Sequence, residues 1–404
     1  MRFVVLSLPL LALSACNFWT GGDPRGEATG VPSQTDARSA RDDAGLDPLG
    51  SRDPAQGAKA EQPHPDSEPR PIMQAQVILE RLGLSPGVVD GKIGLSTRNA
   101  VAGFQHASRL APTGSFDQST LAALGKFTNI PATRVVRIPA DFAAGPFQQL
   151  PKSPKDQAKM ASLDYETLDE KLAERFHTTI DTLKLLNPNG VPAGIVASAP
   201  SAAPGPIPAP SAAGSNVAGQ QTPSSLFRAG QQLRVPNVGA DVVDPGVVKD
   251  TTWAQTLVGL GVGTAQPKVA KVVVSKSKGT LSAFDDGGKL AAVYTATMGS
   301  THDPLPLGQW KIQGVSHNPT FHYNPSLFWD AKSGDKKALL PAGPNGPVGV
   351  VWIDLNIPHY GIHGTPHPET IGRAESHGCV RLTNWDAARL ALMVHVGTAV
   401  SFEA

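Results

Sequence analysis

At 404 residues the chain is too long for one ordinary hydrophobic core, so two or more domains are expected. It is 40% hydrophobic and 17% charged, with 41 Gly and 37 Pro, a composition of linkers joining soluble domains more than of a helix bundle. A net charge of +1 gives no sign of the concentrated basic face that nucleic-acid binding uses, so no nucleic-acid partner is expected.

Met1-Arg2 is followed by an apolar run from Phe3 to Ala15 and then by Cys16. A membrane-spanning helix needs about 20 apolar residues, so this run reads as a secretory signal. Leu13-Ser14-Ala15-Cys16 resembles the bacterial lipobox. That resemblance implies a signal peptide over residues 1–15, acylation of Cys16 and attachment to a membrane through the lipid. Asn17 after the cysteine implies sorting to the outer membrane of a Gram-negative cell, hence a periplasmic location. An ordinary signal peptide cut nearby is the alternative. The second cysteine of the chain is Cys379, which would then have no intramolecular partner. In an oxidising compartment such a thiol is either reactive or incidental.

Residues 16–70 are rich in Gly, Pro, Asp, Arg and Ala and lack apolar periodicity, so they read as a disordered tether of about 40 Å reach. From Pro71 the pattern becomes helical. Ile72, Ala75, Leu79 and Leu82 share one face, Ser96 is a candidate cap for a second helix with Ala100, Val101 and Phe104, and Asp117 opens a third with Leu121 and Leu124. The wording Leu79-x-x-Leu82-Gly83, Gly87-x-x-Asp90-Gly91-x-x-Gly94, Phe104-Gln105 and Thr120-Leu121 resembles the three-helix peptidoglycan-binding domain over residues 71–125. An unrelated small helical domain is the competing reading.

Residues 126–160 read as a linker. Two short amphipathic helices follow within 163–186, the first opened by a capping box at Thr167 and Glu170. Asn187-Pro188 ends them, and a Pro/Ala/Ser/Gly stretch fills 191–225 before Gly230-Gln-Gln-Leu-Arg-Val-Pro236. This pattern resembles a lysin motif (LysM), a βααβ glycan-binding module, over residues 161–238, with a long insert as its departure. A purely structural spacer is the alternative. From Lys268 the β-branched runs Lys271–Ser275, Gly288–Thr297 and Gly349–Asp354 announce strands, and one helix follows Thr383 with Asp386 at its capping-box position. Residues 268–402 are therefore a mainly-β domain closed by a helix.

This domain carries Tyr360-Gly361-Ile362-His363-Gly364 and then Ser376-His377-Gly378-Cys379-Val380-Arg381. A free thiol is mostly protonated at neutral pH, and a histidine within hydrogen-bond reach can take its proton. His377 would share a face with Cys379 on a strand, and His363 could meet the thiol across a fold. Gly378 lets a substrate carbonyl approach backbone donors, and Arg381 could hold a carboxylate. A small buried cysteine is one competing reading. A metal site among His317, His322, His359, His363, His367 and His377 is another, but Gly364 and Pro366 spoil a helical His363/His367 pair.

The two segments resemble the signature of the L,D-transpeptidase (YkuD-type) catalytic domain, and Pro344-Asn345-Gly-Pro347-Val-Gly349-Val-Val-Trp-Ile-Asp354 matches its wording as well. Leu305-Pro306-Leu307-Gly308 departs from the usual Thr-Pro-x-Gly. The resemblance implies Cys379 as nucleophile and His363 as base, its ring oriented by a backbone carbonyl. It further implies that His377 and Gly378 support the oxyanion site, that Ser376, Tyr360 and Arg381 line the substrate site, and that no metal or organic cofactor is used. The implied partner is peptidoglycan and the implied reaction is 3→3 cross-linking of stem peptides. A protein amine, a D-amino acid or water are alternative acceptors, and a non-catalytic wall-binding lipoprotein is the rival from another class. Because residues 71–125 and 163–236 hold none of these groups, a 250–404 fragment is expected to keep its turnover on small soluble muropeptides.

Overall fold

The computed structural model describes residue 66 and residues 68–195, 224–239 and 242–404. Cys16, residues 1–15, nearly all of the 16–70 segment and most of the 191–225 insert lie outside the described residues. The chain begins its described part with three helices, α1 (Pro71–Arg81), α2 (Leu95–Ala107) and α3 (Gln118–Leu124). Pro71 stands in the first turn of α1, where its missing N–H costs nothing. Asp117 caps α3 by accepting from Thr120 N. Ser96 is not the cap of α2; the extended Gly94 holds that position and Ser96 already lies inside the helix. Ile78, Leu79, Ala100, Val101, Phe104 and Leu124 close the small core.

The middle region is a βααβ unit. Strand β1 (Thr133–Arg137) precedes the short helix α4 (Pro154–Gln157), then α5 (Leu168–Arg175), α6 (Ile180–Leu186) and strand β2 (Gln232–Pro236). The strands pair antiparallel, Thr133 opposite Pro236 and Arg137 opposite Gln232. The first strand thus falls within 126–160, which the sequence reading assigned to a linker. Its partner is distant along the chain, so no local pattern announced the pairing. Leu172, Phe176 and Leu183 of the helix pair pack on Val136, Leu233 and Val235 of the strands. The Asn187 side chain ties the end of α6 to β2, donating to Leu183 O and Arg234 O and accepting from Arg234 N.

Helix α7 (Thr251–Leu260) opens the C-terminal domain. Strands β3 (Lys271–Ser275), β4 (Thr280–Phe284), β5 (Leu290–Thr295), β6 (Thr297–Met298), β7 (Gly308–His317), β8 (Phe321–Tyr323), β9 (Ala338–Leu340), β10 (Val351–Leu355), β11 (Gly361–His363) and β12 (Val380–Arg381) follow. Helix α8 (Asn384–Met393) and strand β13 (Ala399–Glu403) end it. Among the described residues, nine strands form one mixed sheet in the order β5-β4-β3-β13-β7-β10-β11-β12-β6, while β8 and β9 make a separate hairpin. Helix α8 packs Trp385, Ala388 and Leu390 against the sheet. Helix α7 was not anticipated, yet its Trp253, Leu257 and Leu260 join the same core, so that core begins before residue 268.

The helical domain docks on this sheet, and the βααβ unit docks on the loop that follows β9. Edge strand β5 meets the α1–α2 turn, where Ser85 N donates to Val293 O at 2.9 Å and Val293 N to Gly83 O at 3.2 Å. A side chain at Gly103 would strike Val293. Leu163, before α5, exchanges backbone bonds with the 342–345 segment, its N–H reaching Ala342 O at 2.8 Å and its carbonyl accepting from Asn345 N at 2.9 Å.

Candidate active site

Strand β11 carries His363 and strand β12 follows Cys379, and the two pair in parallel with Ile362 opposite Val380 and His363 opposite Arg381. That register brings two segments separated in sequence to one end of the sheet. His363, Cys379, Arg381, His377 and Tyr360 line a single cleft of about 720 Å³. Residues 319–340, which include the β8–β9 hairpin, form one wall of it through Phe321, Tyr323 and Phe328.

The His363 ring is buried, stacked on Trp352 with centroids 5.6 Å apart, and its Nδ1 lies 2.7 Å from Gly364 O. A carbonyl oxygen only accepts, so Nδ1 carries the proton and Nε2 keeps its lone pair. Burial first, and then the Arg381 guanidinium, pull the ring's pKa down to about 3, so it is neutral at neutral pH. Cys379 is half-buried, and its thiol donates to His359 O at 3.6 Å. Burial pushes this thiol up, opposed by a backbone hydrogen bond from Gly361 and by Arg381. The resting pair is therefore a neutral imidazole and a protonated thiol. His359 supplies its carbonyl from the left-handed region, at φ +69°, uncommon for a residue with a side chain.

Ser376 fixes the turn that presents the thiol: its hydroxyl accepts from Gly299 N at 2.6 Å and donates to Cys379 O at 2.7 Å. Residues 377–379 form a bend and not a strand, because Gly378 turns the chain at φ +92°. The alternation that would have placed His377 beside Cys379 does not apply. His377 instead points its Nε2 at Asp330 Oδ1, 2.8 Å away, and packs on Phe328 and Trp329. A side chain at position 378 would collide with the Tyr360 ring, which closes over the turn. Arg381 donates to Glu375 O at 3.3 Å while facing the cleft.

Of the other histidines, His322 and His359 also line the cleft, and His317 and His367 lie outside it. His317 stacks on Trp253 and His367 lies exposed near Glu369. Sequence reasoning missed Asp330, and it named Trp352, His359 and Gly364 only within motifs or as a metal candidate, without these roles. The alternating run Val351-Trp-Ile-Asp354 marks Trp352 as facing opposite to its buried neighbours; Asp330 leaves no sequence signal.

Residues 270–401 match the YkuD family, the L,D-transpeptidase catalytic domain, and residues 70–124 match the PG_binding_1 family of peptidoglycan-binding domains. YqjB of Bacillus subtilis (strain 168), named as a candidate L,D-transpeptidase, is 30% identical over 134 residues, which are 32% of this chain and 68% of YqjB. The chain belongs to the L,D-transpeptidase family. YkuD of Bacillus licheniformis, named in the same way, is 52% identical over 58 residues, 14% of this chain and 35% of that protein. YbiS of Escherichia coli (strain K12), named a probable L,D-transpeptidase, is 27% identical over 190 residues, 46% of this chain and 61% of YbiS. The chain spans about a third, 35%, of the length of the two YkuD relatives from Bacillus. In this member of the family, a helical domain of the peptidoglycan-binding type precedes a mainly-β domain of the L,D-transpeptidase type.

Proposed function

We infer that this L,D-transpeptidase cross-links peptidoglycan stem peptides through a thioester on Cys379. The observation that carries the reading is the tautomer of His363: with Nδ1–H held by Gly364 O, the neutral ring offers a basic Nε2 in the cleft that Cys379 lines. Nε2 takes the thiol proton as sulfur attacks the carbonyl of the third residue of a tetrapeptide stem. The developing thiolate supplies the negative charge that raises the base into its working range. Backbone N–H groups of Gly378 and Cys379 stabilise the oxyanion. The C–N bond to terminal D-alanine breaks, the leaving amine takes the proton from His363, and the thioester remains. A side-chain amine of a neighbouring stem then attacks, His363 accepts its proton, and the returning thiol releases a 3→3 cross-link. A protein amine, a D-amino acid or water arriving in the second step would give attachment, exchange or hydrolysis by the same chemistry.

The βααβ unit over 133–236 is a LysM-like glycan contact, and lipid on Cys16 holds the enzyme at the outer membrane, in the periplasm. Mass spectrometry of tetrapeptide-bearing muropeptides incubated with the full chain tests the reaction. The expected product is a dimer lacking one D-alanine, absent with Cys379→Ala. Dimer formation by Cys379→Ala would refute the nucleophile, and free tripeptide as the sole product would assign water as acceptor. Labelled palmitate entering wild-type protein but not Cys16→Ser checks the anchor.

A further inference from the structure

The carbonyl that sets the His363 tautomer belongs to Gly364, and Gly364 has no side chain of its own to hold it. Asn384, the first residue of α8, packs directly against Gly364, while the Gly364 N–H reaches Val351 O at 3.4 Å. A Cβ at Gly364 would lie within 2.2 Å of Asn384 Oδ1, and one at Gly349 within 1.9 Å of the same oxygen, so the amide is wedged between two glycines. Gly349 also adopts φ +59°, a conformation a larger residue would resist. The Asn384 amide is held at both ends. Its oxygen accepts from Val350 N at 3.3 Å, while its nitrogen donates to Pro344 O at 3.1 Å and to Glu174 Oε1 at 2.8 Å.

Glu174 is not part of the catalytic domain; it sits on α5 of the LysM-like unit. Both Glu174 and Asn384 are buried, at 8% and 0% exposure, so water does not replace either partner readily. The same unit holds the segment that supplies the other two partners of Asn384. Asn345 donates its side-chain amide to Glu170 Oε1 at 2.7 Å and its backbone N–H to Leu163 O.

We propose that Glu174 is a positioning residue for the catalytic base, acting through Asn384 and the Gly364 carbonyl on the His363 imidazole. The LysM-like unit is then a structural part of the active site as well as a wall contact. This inference rests on the assignment of Cys379 and His363 made above. Its chemistry requires only an acceptor at position 174, so glutamine satisfies it and alanine does not. Burial pushes the Glu174 carboxyl up, against hydrogen bonds from Tyr165 and Asn384, so the residue tolerates the uncharged form.

The test uses the full chain with Glu174→Ala, Glu174→Gln and Asn384→Ser. Two rates are measured: turnover on soluble muropeptides, and alkylation of Cys379 by iodoacetamide in the absence of substrate. Misplacing a catalytic group by a fraction of its contact distance costs about 10- to 100-fold. Glu174→Ala should lower kcat and the alkylation rate together by that factor, with KM within two-fold or so, and Glu174→Gln should restore both. Asn384→Ser should lower them alike, and the double variant should be no slower than either single. If Glu174→Ala does not yield folded protein, Glu174→Asp, with its carboxylate one methylene short of the amide, carries the same expectation. Wild-type kcat and alkylation in the alanine or aspartate variant would overturn the positioning role and leave the nucleophile standing. Transfer surviving in Cys379→Ala would overturn both.

Discussion

Glu80 of α1 and Arg389 of α8 form an ion pair buried from solvent, joining the peptidoglycan-binding domain to the closing helix of the catalytic domain. His177 completes it, with Nδ1 2.7 Å from Glu80 Oε1, Nε2 2.8 Å from Leu260 O and its ring stacked on Trp385. Burial works against the Glu80 charge, but Arg389 and then His177 hold its carboxyl well below the usual carboxylate range. All three parts of the described chain therefore meet at one carboxylate.

Removing that carboxylate takes the nearest counter-charge from Arg389 in a low-dielectric site and leaves it to the neighbouring Asp386, a change that costs up to about 3–5 kcal/mol. Glu80→Ala should lose that much in urea unfolding. A loss under about 1 kcal/mol would mean that the domains fold independently of the pair. Because the folded pKa is depressed, the stability from Glu80 is present above 4.5 and lost as pH falls below it.

Glu174 behaves with the opposite sign. Burial raises its carboxyl from 4.5 to about 7, with Glu170 adding repulsion. The folded chain then holds a proton that the unfolded chain has released. The associated stability is fully present below 4.5 and is lost as pH rises through about 7. Wild-type protein should lose roughly 1–3 kcal/mol more than Glu174→Gln between about pH 5 and pH 8. Parallel pH profiles for the two proteins would show that Glu174 does not titrate in this window.

The motif residues were legible because their chemistry is local: a thiol, a glycine turn and an arginine lie within six positions, and one strand carries the histidine. The three helices of residues 71–125 announced themselves by face and turn chemistry. What sequence did not reveal depends on contacts between distant segments. Strand β1 has its partner across the insert, and helix α7 is rich in threonine and contains Gly259, which masks a helix whose Asp250 cap is plain in the structure. Glu80, His177 and Arg389 lie far apart in the sequence and carry no shared local pattern, and only docking brings them together. Residues 71–125 and 163–236 hold none of the motif's catalytic groups, which is why a 250–404 fragment was expected to keep its turnover. Cutting there would remove an acceptor from Asn384 and the Glu170 hold on Asn345, so that fragment is now expected to lose kcat as well as wall binding.

Gly378 offers a sharper check on the nucleophile turn. At φ +92°, and with the Tyr360 ring 2.5 Å from where a Cβ would sit, alanine meets both strain and a clash. Backbone strain of this kind costs about 1–3 kcal/mol. Gly378→Ala should lose that stability and most of its turnover. Adding Tyr360→Ala removes the clash but not the strain, so stability should recover in part and turnover should not. Full recovery of turnover in the double variant would reduce Gly378 to a matter of space.

The flap over 319–340 is fastened to the catalytic turn at one polar contact, His377 Nε2 to Asp330 Oδ1, flanked by Phe328 against His377 and by Trp329 stacked on His302. Asp330 is half-exposed, its side chain at 52%, so the contact is screened and worth at most about 1 kcal/mol, or roughly five-fold in an equilibrium. The contact touches neither sulfur nor base, so its loss should weaken substrate binding equally in the ground and transition states. Asp330→Ala is therefore expected to raise KM up to about five-fold with kcat nearly unchanged, and to speed amide hydrogen exchange in 319–340. Asp330→Asn keeps an acceptor for the imidazole N–H and should stay near wild type. If Asp330→Ala instead lowered kcat at constant KM, His377 would be supporting the oxyanion as well as fastening the flap, and the flap contact would belong to the chemistry.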